Sequence, residues 1–102
     1  MPDLNVVAVI TAQPGAAEQV RAALQALVEP TRAEPGCLKY ELFVSGIEPD
    51  SFITVEEWRS AADLDAHLQT DHVPQALAVA GELLAAPPAI HPLQPVAEPG
   101  SD

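Results

Sequence analysis

Residues 52–72 read Phe-Ile-Thr-Val-Glu-Glu-Trp-Arg-Ser-Ala-Ala-Asp-Leu-Asp-Ala-His-Leu-Gln-Thr-Asp-His, and their hydrophobic period changes once. From Phe52 to Trp58 most positions are β-branched or aromatic, which suits a pleated strand. Ser60 with Asp63 three residues later has the form of a capping box, in which a hydroxyl takes an orphan helix N–H and an acid reaches back. Leu64 and Leu68 then recur four apart, so a helix over Ala61–Thr70 follows. The strand carries Trp58, the only Trp of the chain, to its end. The helix carries His67 and His72 just beyond. An aromatic ring and two imidazoles at a strand-to-helix junction are the first place to look for chemistry.

Upstream, Leu4 to Thr11 has Leu4, Val6, Ala8 and Ile10 on one parity and Val7 and Val9 on the other. A strand apolar on both faces is covered on both. Gln13-Pro14-Gly15 is a turn. Helical spacing from Ala16 to about Ala33 puts Ala17, Val20, Leu24, Leu27, Val28 and Thr31 on one side, with a kink or stop expected at Pro30 because proline lacks the backbone donor. Cys37 to Ser45 is a second strand with Leu38, Tyr40, Leu42 and Val44 on one face, and Gly46 to Asp50 joins it to the Phe52 strand. Downstream, Asp71 caps a further helix with Pro74 in its first turn and Val73, Leu77, Ala80 and Leu84 as its stripe. Ala89 to Val96 alternates as a strand, but Pro92 and Pro95 confine it to an edge. The order β-α-β-β-α(α)-β is the ferredoxin-like split βαβ, a four-stranded antiparallel α+β fold with its helices on one face. Residues 1–96 make one domain and 97–102 a loose tail. Since helices cover only one face, a second copy of the chain is the simplest cover for the other.

The 102 residues are 48% hydrophobic with a formal charge of −11. A chain of that length buries roughly 60–70% of its unfolded surface, enough for one core. Only Arg21, Arg32, Lys39 and Arg59 are basic, which argues against nucleic acid or an anionic membrane as partner. Cys37 is the only cysteine, so there is neither an internal disulfide nor a cysteine-based zinc site. No apolar run reaches the length of a membrane span. The reading is a reduced, cytoplasmic protein.

The candidate catalytic residues are His67 and His72, because imidazole accepts a proton near neutral pH. The candidate substrate-binding residues are Trp58, Tyr40 and Glu56, as walls and polar contact of an apolar pocket between the sheet and the Ala61–Thr70 helix. Each has an ordinary structural use as well: Trp58 and Tyr40 as core, Glu56 in a hydrogen bond to backbone, the histidines at a helix break. Metal is not expected, since His67 and His72 lie five apart across that break and no third ligand is evident. His67 has the better reach and His72, at a helix N-terminus, the better electrostatics for a neutral ring.

Three segments in this order, Glu34-Pro-Gly-Cys-Leu-x-Tyr40, Phe52-x-x-x-Glu56-x-Trp58-x-Ser60 and Leu64-x-x-His67-x-x-x-x-His72, resemble the antibiotic biosynthesis monooxygenase family. The resemblance runs from about Val6 to Pro95. It implies a homodimer joined through its sheets, and a cofactor-independent oxygenation of a quinol, anthrone or similar hydroxylated aromatic by O2. A non-catalytic dimeric small-molecule-binding or stress-response module of the same fold is the alternative. The family's haem-degrading branch uses an Asn and a His where this chain has Ala8 and the region of Leu77, so haem is not implied.

Overall fold

Alternation along two strands organises the sheet. In the computed structural model, which describes residues 3–97, β1 (Leu4–Thr11) and β3 (Ser51–Trp58) lie side by side and antiparallel. Val6, Ala8 and Ile10 of β1 and Phe52, Thr54, Glu56 and Trp58 of β3 all point to one face and are buried. β2 (Cys37–Val44) flanks β3, and β4 (Ala89–Pro92) flanks β1, giving the antiparallel order β2-β3-β1-β4. α1 (Ala17–Arg32) crosses from β1 to β2. α2 (Ala61–Leu68), α3 (His72–Ala80) and one 3-10 turn (Gly81–Leu83) return the chain from β3 to β4. This is the ferredoxin-like split βαβ. Among the described residues no helix is long and apolar enough to cross a membrane.

Several details depart from the periodicity. α1 does not stop at Pro30 but runs through it to Arg32. Proline here frees only the carbonyl of Ala26, and both residues are exposed, where water can satisfy it. In β2 a bulge at Leu38 sets both Cys37 and Leu38 against Trp58. Cys37 thus packs beside Tyr40 and Trp58, while Leu38 is half exposed. α2 ends at Leu68 rather than Thr70, and Leu68 faces partly outward while His67 takes the inward place beside Leu64. Asp71 stands at the α3 N-cap, but its side chain caps nothing. β4 covers only Ala89–Pro92 of the expected Ala89–Val96. Of the expected tail, residues 98–102 lie outside the described residues.

The core under the helices has two parts. Ile10, Val20, Leu24, Leu27, Phe52 and Val73 form the larger; Val6, Tyr40, Trp58 and Leu64 form the smaller. On the opposite sheet face Val7, Val9, Ile53 and Val55 are only half-buried and Phe43 is exposed.

Candidate active site

β3 projects Thr54, Glu56 and Trp58 from one face because every second side chain of a strand does so. The carboxylate of Glu56 therefore lies between its two neighbours. The indole Nε1–H of Trp58 donates to Oε1 at 2.8 Å, and the Thr54 hydroxyl donates to Oε2. Glu56 is buried, and two hydrogen bonds are what such a carboxylate requires. Its partners are side chains of its own strand, in place of the backbone groups expected from sequence. Tyr40 sits opposite Glu56 on β2. Burial first, and then the charge of Glu56, push the Tyr40 hydroxyl well above the ordinary tyrosine range, so it remains a protonated donor.

The capping hydroxyl of Ser60 accepts the Asp63 N–H and starts α2, with the Asp63 carboxylate turned to the Ser60 hydroxyl and to Arg59. From that start His67 falls on the inward face, 4% exposed. Its ring lies 4.7 Å from that of Trp58 and 5.9 Å from that of Tyr40, centroid to centroid. The Thr70 hydroxyl donates to the His67 carbonyl and closes the helix end. Two residues later His72 opens α3.

Between the two imidazoles stands Glu34, from the loop after α1. Its Oε2 is 2.7 Å from Nδ1 of His67 and 2.7 Å from Nε2 of His72. Sequence reasoning placed this residue at the head of a family segment but not among the candidate site residues. The loop comes so close to α2 because residue 36 is glycine: a Cβ there would lie 2.1 Å from Cγ of Asp63. The Arg59 N–H also donates to the Gly36 carbonyl at 2.9 Å. An ionised carboxylate only accepts, so the hydrogen-bond network assigns a proton to Nδ1 of His67 and to Nε2 of His72. In a neutral ring Nε2 of His67 is then left as an acceptor. Glu34, His67 and His72 together offer three metal-ligating atoms within 4.8 Å of one another. Glu34 is thus the third ligand atom that the spacing of the histidines did not reveal.

A cavity of about 80 Å³, partly open to solvent, lies where the two core clusters meet. Tyr40, Thr54, Glu56 and His67 supply its polar lining, and Leu24, Leu64, Leu68, Leu77 and Ile90 are among its apolar walls. Three of the five site residues expected from sequence therefore face it: Tyr40, Glu56 and His67. Trp58 is fully buried behind His67 and Glu56, and His72 is turned toward the groove between α1 and α3. Cys37, half-buried beside this site, has its thiol pushed up by burial and then by Glu34, which disfavours the nucleophilic thiolate.

Relatives of known sequence and structure share this arrangement of elements. Residues 4–79 match the family model described as antibiotic biosynthesis monooxygenase. The chain is 34% identical over 92 residues to "Probable quinol monooxygenase YgiN" of Escherichia coli, with 79% of this chain and 88% of that protein covered. It spans about half (53%) of "Uncharacterized protein sll1783" of Synechocystis, at 37% identity over 78 residues. The crystal structure of PA3566 from Pseudomonas aeruginosa superposes with a TM-score of 0.87 at 37% identity, covering 95% of this chain and 97% of that one. The structure of Rv0793 from Mycobacterium tuberculosis gives 0.85 at 35% identity, with 97% and 100% covered. Sequence match and superposition agree: the chain belongs to the antibiotic biosynthesis monooxygenase family.

Proposed function

We propose that this chain oxidises a quinol or similar hydroxylated aromatic with O2, without a bound cofactor, and that His67 is the base. The observation that carries this reading is an imidazole held by a carboxylate at Nδ1 and lining a largely apolar cavity. Its Nε2 takes the proton of a ring hydroxyl: the O–H bond breaks, an N–H bond forms, and the electron pair stays on the substrate. Phenolic hydroxyls ionise near 10 when unperturbed, so this step needs a base, and the anion it forms is electron-rich enough to react with O2. One oxygen atom enters the ring. The quinol's own two electrons and two protons reduce the other to water, so hydroxylated quinone and water are the products. Glu34 stabilises the imidazolium while it lasts, and the Tyr40 hydroxyl offers a donor to the substrate oxygen.

Size narrows the substrate. A cavity of about 80 Å³ is smaller than the roughly 150 Å³ that encloses benzene, so even a single ring is only partly enclosed and projects through the open side. The relative named as a quinol monooxygenase supports the same class. The apolar face of Val7, Val9, Ile53, Val55 and Phe43 suits a second copy of the chain, and sedimentation should give a dimer; a 10.7 kDa monomer at micromolar concentration would remove that part. The catalytic reading is tested by oxygen uptake of chelator-treated protein with a menadiol- or anthrone-type compound against a buffer blank. Turnover above blank is expected. Bare protein that turns over none of them would favour the binding module instead.

A further inference from the structure

We propose that Glu34, His67 and His72 form a binding site for a zinc-class divalent ion, and that filling it switches the His67 base off. The switching rests on the function proposed above; the binding does not.

The donor set comes first. Two imidazole nitrogens and one carboxylate oxygen suit Zn²⁺, Co²⁺ or Ni²⁺, whereas Mg²⁺ and Ca²⁺ prefer oxygen ligands throughout. The three ligand atoms converge from separate elements: the loop after α1, α2 and the first turn of α3. A tetrahedral ion at about 2.0–2.1 Å from each ligand sets them roughly 3.3 Å apart. The two N···O contacts of 2.7 Å must therefore open by about half an ångström, while the two nitrogens, now within 4.8 Å, close on each other. His72, with a quarter of its side chain exposed, has the freedom to supply that movement, and it gives the ion a way in. His67 is held from behind by Trp58. The chain's charge of −11 raises the local concentration of any cation.

The consequence for the base follows from the ring itself. Without metal, Nδ1 of His67 carries the proton and Nε2 carries the free pair. A metal takes the pair on Nδ1, so the single proton of the neutral ring must sit on Nε2. No proton is lost or gained overall; it moves from one nitrogen to the other. Nε2 then donates, and it can no longer take the substrate's proton.

The test titrates Zn²⁺, with Mg²⁺ as control, into the chelator-treated full chain by calorimetry. One Zn²⁺ per chain is expected, and no Mg²⁺. His72→Ala and Glu34→Gln, with folds checked by circular dichroism, should each weaken Zn²⁺ about tenfold or more, and His91→Ala, outside the cluster, should not. Saturating Zn²⁺ should lower quinol turnover about 10²-fold or more, restored by excess chelator. Zn²⁺ affinity unchanged in both cluster variants would overturn the site. Tight Zn²⁺ with undiminished turnover would overturn the switch. Tight Zn²⁺ and no turnover in either state would leave the site standing and defeat the catalytic reading.

Discussion

Glu34 and Glu56 are both shielded carboxylates that accept two side-chain hydrogen bonds, yet they do different things. The partners of Glu56, the Thr54 hydroxyl and the Trp58 indole, hold their protons throughout the neutral range. That trio sits on one strand and stiffens the floor of the cavity. The partners of Glu34 are two imidazoles, side chains that can both give and take a proton, and they come from helices that only tertiary folding brings together. A buried carboxylate with silent partners is architecture. One whose partners can give and take a proton can support chemistry.

The largest effect should fall on the Glu34 side. His67→Ala is expected to lose about 10²–10⁴-fold in turnover, the usual contribution of a general base. His72→Ala, whose ring does not face the cavity, should lose much less. Equal losses would erase the division between the two rings. On the Glu56 side the effect should be on stability. Glu56→Ala strands two buried donors and should cost about 3 kcal/mol, read as a lower denaturation midpoint. A wild-type midpoint would mean that the trio does not stiffen the sheet.

The loop that delivers Glu34 gives the next test. Gly36→Ala forces Asp63 aside and should cost about 1–3 kcal/mol, with a loss of turnover as Glu34 withdraws from His67. Full activity in that variant would show that the close approach is not what positions Glu34. Ser60→Ala, which removes the α2 cap, should cost about 1 kcal/mol and leave the site geometry intact.

The smallest effect is one of pH. Tyr40 is the only tyrosine, so its ionisation can be followed alone in the ultraviolet. Its folded-state value is raised, so its contribution to stability is whole below about pH 10 and is lost as pH rises further. Ionisation at the ordinary value without unfolding would show that Tyr40 is not confined beside Glu56.

Most of the fold is legible in the chain because it is written in local periods. The alternation in β1 and β3 and the Ser60 cap each need only neighbouring residues, and each appears where the spacing places it. Leu38 was misassigned because one extra residue in a bulge inverts parity, and nothing local marks it. Pro30 misled because propensity says what proline costs within a helix, not that its freed carbonyl would lie on a wet face. Half of the candidate site was readable from residue chemistry at the junction. Glu34 was not, being 33 and 38 residues from its two partners, with no period connecting them. The hints were its place at the head of the Glu34-Pro-Gly-Cys-Leu-x-Tyr40 segment and Gly36, a residue that permits close approach.

A base aimed into the cavity is tested most directly by the protons on its two ring nitrogens. Nitrogen-15 NMR of the chelator-treated protein, at a pH where the His67 ring is neutral, should find the proton on Nδ1, toward Glu34, and a bare Nε2. In Glu34→Gln that preference should weaken. A wild-type His67 protonated on Nε2 would leave that ring no free pair for a substrate's proton, and would contradict the assignment of His67 as the base.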